Sequence, residues 1–433
     1  MTHKPNDADR WWRDGAGLQR MVADLLGAEL AALRPGRQTL AAPWPAALDL
    51  RRDLGTDSLE LMGLASALET QLHLHEAAGA PLLARTGLQD WLDAAHAGLD
   101  ADGSALTFRT SGSSGAPKPC THPLALLLQE VDALARLLPE RRRIVSVVPA
   151  HHIYGFLFTV LLPRRLGIEA VCDLRGHAPA ALAAQLTAGD LVIGFPDFWR
   201  AFGQAAGALV PDVVGVTSTA PCPPEVAHAA LATGLARLVQ VYGSSETAGV
   251  GWRDEPEGGY TLFPYWSRAV PGDVKTCAPT CAQTDTQTDM QTDGQCAGLV
   301  RQCPDGTRQQ AALQDRLAWR DDGRFQPDGR IDQAVQVGGV NVFPGYVADV
   351  LRLHPAVLDA SVRRMRPDEG ERLKAFVVVR AGATADVALQ AGLHAWLSER
   401  LTAPECPAAY SFGPRLPRGA SGKLADWIID SDG

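Results

Sequence analysis

The sequence predicts a multidomain protein: a helical N-terminal unit (1–100), a larger α/β unit with a mainly parallel sheet (101–331) and a small α+β unit (332–433). Three observations carry this. A chain of 433 residues exceeds one ordinary domain. Apolar residues recur at helical spacing before residue 100, and in short β-rich runs separated by helices after it. The texture changes again beyond "GRIDQAVQVGG".

In the first unit, Leu18, Met21, Val22, Leu25, Leu26, Leu30 and Leu33 mark one helical face, and Leu61, Leu64, Leu68 and Leu72 a second. "GLQDWLDAAHAGL" supplies a further apolar pattern that closes by Leu99, and "DADGSA", Asp100 to Ala105, reads as a linker. The runs "RIVSVVPA", "IEAVCDL", "DLVIGF", "VVGVTST" and "LVQVYG" then read as strands of a parallel sheet. "QTDTQTDMQTDG" reads as a surface insertion. In the last unit "LDASVRRM" and "LKAFVVVR" read as strands, and "ALQAGLHAWLSERL" as a helix.

The balance is mildly acidic, with 49 Asp+Glu against 40 Lys+Arg, which argues against nucleic acid or an anionic membrane as the main partner. No apolar run has the length of a membrane span, and the polar start does not read as a signal peptide, so the expected setting is cytoplasmic. Cys277, Cys281, Cys296 and Cys303 cluster, but without the short gaps of a zinc site and across low-complexity sequence; incidental thiols in a loop are the preferred reading.

"TSGSSGAPKP", Thr110 to Pro119, is rich in glycine and hydroxyls and holds one lysine. Such a loop can turn N–H groups and hydroxyls toward phosphate oxygens, or be a flexible linker; the stretch alone leaves both open. "VYGSSETAG" follows a strand and puts Tyr242 and two hydroxyls beside Glu246, a carboxylate able to hold Mg2+ against phosphates. "QDRLAW" offers Asp315, "GRID" Arg330 and Asp332, and "LPRGASGKLADW" Lys423. Each alone has an ordinary reading as a solvated surface group.

Together and in this order, from about Leu106 to Trp427, these motifs resemble the adenylate-forming superfamily of acyl-CoA synthetases, aryl-CoA ligases and adenylation domains. The resemblance implies that a carboxylic acid and ATP give acyl-AMP, from which a thiol takes the acyl group. It implies that Thr110, Ser111, Gly112, Ser113, Ser114, Gly115 and Lys118 cradle the phosphates, and that Thr219, Ala220, Pro221 and Tyr242 bracket adenine. Glu246 would bind Mg2+, Asp315 and Arg330 the ribose, Asp332 would be the hinge of a mobile C-terminal subdomain, and Lys423 would act in adenylation. Lys118, Glu246 and Lys423 are thus the expected catalytic groups, stabilising charge where it builds up.

"PAHHIYGF" is similar to the histidine-aromatic segment of 4-coumarate and related aryl ligases, implying His152 and Tyr154 as acyl-pocket walls and an aryl or aryl-propenoic acid as substrate. "VGGVNVFP" is similar to aryl-CoA and phenylacetate-CoA ligases. Four features depart from the family: the adenylation domain's opening subdomain is trimmed, Gln336 and Gln314 replace a lysine and a glycine, and glutamates are missing from "FPGYVADV".

"LGTDSLEL", at the start of an amphipathic helix, resembles acyl and peptidyl carrier proteins, so the first unit reads as a four-helix carrier-like bundle. That implies 4'-phosphopantetheine on Ser58 and a phosphopantetheinyl transferase as partner, at a helix N-terminus that favours an anion. The plainer reading is that Asp57 or Ser58 caps the helix. The leading expectation is a ligase that loads an acyl carrier, its own Ser58 or a separate protein. A CoA ligase with a structural carrier-like domain is the first alternative, and a non-catalytic nucleotide-binding partner of a synthase assembly the second.

Overall fold

The structure, a computed structural model, describes residues 9–34, 40, 43–74, 82–110, 118–269, 298–311, 313–331, 334–382, 384–417 and 424–428, with Thr110 and Arg330 described in their backbone only. These residues fall into two compact units. The larger takes in the described parts of Met1–Thr110, Pro119–Leu313 and Ala318–Gln326; the smaller, those of Ser111–Lys118, Gln314–Leu317 and Pro327–Gly433.

The larger unit begins with a 3-10 turn, Trp11–Arg13, and helix α1, Gly15–Leu33. Asp14 starts α1 by accepting the Ala16 N–H. The face of Leu18, Met21, Val22, Leu25, Leu26 and Leu30 is buried as its spacing predicts, while Leu33 in the last turn is exposed. Helix α2, Ser58–Leu72, buries Leu61, Leu64, Leu68 and Leu72 and stops at His73, whose φ of 54° is left-handed. Helix α3 is Leu88–Asp102.

These three α-helices, the ones among the described residues before 105, do not make a free-standing four-helix carrier-like bundle. Their faces close on the α/β part of the same unit. Arg20 donates to the Thr159 carbonyl at 2.7 Å, Gln71 to the His151 carbonyl at 2.8 Å, and the Trp11 ring meets Phe156 edge-on with centroids 4.9 Å apart. Helical periodicity identifies an apolar face but not what covers it. The stretch read as a linker is likewise built in: α3 runs on to Asp102, the next strand starts at Ala105, and Trp12 Nε1 donates to Asp100 at 2.8 Å.

Strands β1 (Ala105–Thr110) and β2 (Lys118–Pro123) pair with each other, and α4 (Leu124–Leu137) follows. Then come β3 (Arg143–Ser146), α5 (Ile153–Phe156), one π-helical turn at Leu157–Leu161, α6 (Leu162–Leu166), β4 (Val171–Asp173), α7 (Pro179–Ala183) and β5 (Asp190–Gly194). Helix α8 (Pro196–Ala205), β6 (Val214–Thr217), α9 (Pro224–Ala232), β7 (Arg237–Ser244), β8 (Ala248–Arg253) and β9 (Thr261–Leu262) complete a seven-stranded sheet of order β4-β3-β5-β6-β7-β8-β9.

Strands β3 to β7 run parallel, and β8 and β9 return antiparallel. All five residues of β5 and all four of β6 are buried, which explains why they read as continuous apolar runs. Trp199, Phe202, Val192 and Leu238 lie in the core cluster against this sheet. A second small sheet joins β10 (Trp266–Arg268), β11 (Leu299–Gln302) and β12 (Arg308–Ala311), and β13 (Asp315–Trp319) pairs with β14 (Phe325–Arg330).

In the smaller unit, hairpin β15 (Val335–Val337) and β16 (Val340–Val342) leads to α10 (Pro344–Arg352), β17 (Val357–Arg364), β18 (Leu373–Val379), α11 (Val387–Ser398) and β19 (Ala409–Phe412). Strand β18 lies between antiparallel β17 and parallel β19. Val347 and Leu351 of α10 and Leu393 and Leu397 of α11 are buried with this sheet's Val357, Ala360, Ala375 and Val377. Lys374 is fully buried, ion-paired to Glu369 at 2.7 Å and to Asp426 at 3.0 Å, and donates to the Trp427 carbonyl at 2.7 Å. That ties the segment after Lys423 to the sheet.

Candidate active site

In an open parallel sheet, ligands bind beyond the carboxyl ends of the strands, where the strand order reverses. Here the chain passes from β3 outward to β4 and then back to β5 on the other side of β3, so the reversal lies between β3 and β5. A cleft of about 270 Å3 opens at this edge, lined by Val147, Leu174, Arg175, Phe195, Asp197 and Phe198 among others.

Tyr154 of α5 lies behind the cleft. Its hydroxyl donates to the Gly194 carbonyl at 2.9 Å and lies 3.3 Å from that of Val216, the residue before Phe195 and the third residue of β6. Burial pushes its phenol pKa well above the ordinary value. Tyr154 is thus a neutral tether between α5 and the ends of two central strands. Helix α5 packs so closely on the preceding loop that a Cβ on Gly155 would stand 1.9 Å from the Pro149 carbonyl oxygen. His152, just before the helix, is exposed, and its ring packs on that of His151 with centroids 4.0 Å apart. His151 Nδ1 is buried without a hydrogen-bond partner, and burial with the nearby His152 and Arg175 lowers its pKa to about 2. His151 is therefore neutral.

Further along the edge, Thr219, Ala220 and Pro221 follow β6, and the parallel pairing of Thr217 with Gln240 brings them next to Tyr242. Ser218 Oγ donates to the Val241 carbonyl at 2.9 Å, closing that gap. Thr219 holds φ at 77°, a strained value for a β-branched residue, of the kind that functional loops retain. Tyr242 is half-buried and joins an aromatic group with Tyr260 and Phe325, at centroid distances of 5.7 and 5.5 Å. That is a fitting surface for a flat heterocycle.

Glu246 sits at the tip of the β7–β8 hairpin, between Ser244 and Thr247, whose hydroxyls lie 3.1 Å apart. The tip is held from two sides. His122 Nε2 meets the Ser245 carbonyl at 2.6 Å, and Glu130 of α4 accepts the Gly249 N–H at 3.0 and 2.9 Å through its two oxygens. Gly243 is required by close approach, since a Cβ there would stand 2.2 Å from the Ala248 carbonyl oxygen. A carboxylate beside two hydroxyls is a hard-oxygen donor set that fits Mg2+.

The structure therefore gathers His152, Tyr154, Thr219, Ala220, Pro221, Tyr242 and Glu246 in one unit, along the carboxyl edge of its sheet and the hairpin beside it. Lys118 opens β2 and Asp315 opens β13, both within the smaller unit's segments. Ser111, Gly112, Ser113, Ser114, Gly115, Asp332 and Lys423, like Cys277, Cys281 and Cys296, lie outside the described residues. No group of His, Cys, Asp or Glu among the described residues is arranged as a metal cluster. No described helix is long and apolar enough to cross a membrane.

Ser58 is the first residue of α2 and exposed, with Arg51 donating to its hydroxyl at 3.2 Å. The cap is Asp57: its side chain accepts the Glu60 N–H at 2.8 Å, and Glu60 accepts the Asp57 N–H at 2.9 Å. Arg34 clamps Glu60 with two bonds of 2.6 Å and also reaches the Leu54 and Gly55 carbonyls. Capping accounts for Asp57, and Ser58 is the exposed first residue of the helix behind it.

Sequence reading missed Asp24, His122, Glu130 and Arg175, which hold the edge together. Asp24 and Glu130 did carry a signal: each is an acid on the apolar face of its helix.

Residues 50–276 match the family of AMP-binding enzymes, and residues 346–423 the AMP-binding enzyme C-terminal domain. The chain belongs to the AMP-binding enzyme family and is, by class, an AMP-forming acid–thiol ligase. The first match begins before α2, so α2 and α3 fall inside it.

The chain is similar to a protein named 4-coumarate–CoA ligase from Cereibacter sphaeroides, with 36% identity over 96% of this chain and 97% of the relative. A protein of the same name from Halorhodospira halophila is 37% identical over 94% of this chain and 97% of its own length. Among solved structures, an amide bond synthetase from Marinactinospora thermotolerans shares the fold, with a TM-score of 0.59 at 18% identity over 95% of this chain and 93% of that one. An o-succinylbenzoate CoA synthetase from Bacillus subtilis reaches a TM-score of 0.56 at 18% identity over 74% of this chain and 67% of that one.

Proposed function

We propose that this enzyme activates an aromatic carboxylic acid of the aryl-propenoic type with ATP and passes the acyl group to CoA. The observation that carries the reading is near-full-length similarity to proteins named 4-coumarate–CoA ligase. The cleft between β3, β4 and β5 supports it, with Phe195, Phe198, Leu174 and Val147 as walls for a flat ring.

In the first step a carboxylate oxygen attacks the α-phosphorus of ATP. The bond to the β-phosphate bridge breaks, and pyrophosphate leaves with the electron pair. The resemblance implies the roles: Lys118 and the loop 110–115 would offset phosphate charge, Tyr242 and Thr219–Pro221 would take the adenine, Asp315 and Arg330 the ribose, and Glu246 would hold Mg2+, which supplies further positive charge. By the family resemblance, Lys423 would serve the carboxylate and the α-phosphate, with Asp332 as the hinge residue. In the second step the CoA sulfur attacks the acyl carbon, AMP leaves, and the thiol proton passes to solvent.

CoA is the favoured acceptor over a carrier arm because α2 and α3 fall within the AMP-binding match and Asp57, with Ser58 exposed, is explained as a cap. The deciding experiment is ATP–pyrophosphate exchange with a panel of acids, followed by acyl transfer to CoA or to carrier protein. Exchange with hydroxycinnamic acids and thioester formation on free CoA are expected. Exchange only with fatty or amino acids overturns the substrate class, and transfer only to a carrier overturns the acceptor. Lys423→Ala should abolish exchange while sparing transfer from supplied acyl-AMP.

A further inference from the structure

Helix α1 presents a buried acid to the edge where the cleft opens. Asp24 is 4% exposed, on a helix face otherwise made of Met21, Val22, Leu25 and Leu26. One carboxylate oxygen accepts the Ala150 N–H at 2.6 Å, and the other lies 2.7 Å from the Arg175 guanidinium. Ala150 is the residue before His151 and His152, and Arg175 is itself a wall of the cleft.

Burying a carboxylate is expensive, so an apolar residue at this site would serve packing better. Burial raises the Asp24 pKa, against the pull of Arg175 and the Ala150 N–H. For Arg175 burial acts to lower the pKa, but hydrogen bonds and charges from Asp173 and Asp24 outweigh it and raise the value. Arg175 thus stays cationic, held by two acids from different parts of the chain. Arg20, one turn before Asp24, fastens α1 to the same region through the Thr159 carbonyl, and Gln71 of α2 holds the His151 carbonyl. The Pro149–His152 loop is therefore gripped by two N-terminal helices at successive residues.

We propose that Asp24 is a positioning residue for acid binding: through the Ala150 N–H and the Arg175 guanidinium it sets the His151–His152 loop and one wall of the cleft. This rests on the reading of the cleft as the site of the acid. Helix α1 then positions the acid site as well as packing on the α/β part of its unit.

The test uses the full chain with Asp24→Asn, which keeps shape but removes the charge, and Asp24→Ala, which removes the acceptor. In pyrophosphate exchange, Asp24→Asn is expected to raise KM for the acid about tenfold or more while KM for ATP stays unchanged. Arg175→Gln should do the same, and the double variant should be no worse than Arg175→Gln alone, because the two residues act as one device. In hydrogen exchange, Asp24→Ala should expose the Ala150 amide while the amides of β5 and β6 keep their protection.

An unchanged KM for the acid overturns the proposal, and so does equal loss for acid and ATP together with lowered thermal stability, the mark of a merely structural acid. If no aromatic acid supports exchange in the unsubstituted protein, the proposed substrate class falls. The Ala150 amide then decides alone: continued protection in Asp24→Ala rejects the positioning role, and selective exposure retains it.

Discussion

Glu130 of α4 holds the Gly249 N–H of β8 with both carboxylate oxygens, at 3.0 and 2.9 Å, in a site from which solvent is excluded. Burial raises its pKa from 4.5 to about 7, against the opposing charge of Arg301 and the Gly249 N–H. Between those values the folded chain keeps a proton that the unfolded chain releases, so stability falls as pH rises. At full titration that difference corresponds to roughly 3 kcal/mol. Glu130→Gln, which stays neutral, should flatten the decline in thermal midpoint between pH 5 and 8. A variant with the same slope as the parent would show that Glu130 is ionised throughout.

The N-terminus of α2 offers a second test. Asp57→Ala removes half of a capping box and should cost about 1 kcal/mol, whereas Ser58→Ala, at an exposed hydroxyl, should stay within about 0.5 kcal/mol of the parent. Chemical denaturation measures both. Incubation with broad-specificity phosphopantetheinyl transferases should leave the intact mass unchanged. A gain equal to one arm, lost in Ser58→Ala, would restore the carrier reading and with it a different acceptor.

Tyr154→Phe separates tether from pocket wall. Removing the hydroxyl leaves the Gly194 carbonyl without this donor and should cost about 1–3 kcal/mol. The aromatic ring remains, so KM for the acid should change little beside the loss of stability. A large rise in KM with unchanged stability would mean that the hydroxyl contacts the substrate directly.

What could be read from the sequence followed from how each element is buried. Strands β3, β5, β6 and β7 were legible because a strand covered on both faces is a short unbroken apolar run, and Leu191, Val192 and Ile193 of β5 are all fully buried. In the smaller unit β18 was legible for the same reason, its residues being buried or half-buried throughout. The return strands β8 and β9 carry Gly249 and Gly251 and an exposed Thr261, which blur the signal.

The N-terminal helices were legible as helices but not as part of the α/β unit. Nothing in the spacing of Leu18, Met21 and Leu25 says that the covering surface comes from residues beyond 140; Asp24 within that face was the available hint. At the candidate site, Tyr242 and Glu246 stood out because glycine and hydroxyl residues surround them. Their supports, His122 and Glu130, come from distant positions and look like ordinary members of a strand and a helix.

The grip of α1 on Ala150 and Arg175 also bears on how the chain is made. At ribosomal speeds of 5–20 residues per second, α1 is synthesised on the order of 10 s before the loops it holds. During that interval Met21, Val22, Leu25 and Leu26 have no final surface to cover, and Asp24 waits without its cation. Nascent chains halted before residue 143 should therefore expose a sticky helix that recruits chaperones, whereas chains halted well beyond residue 217 should not. The segment made first would be among the last to settle.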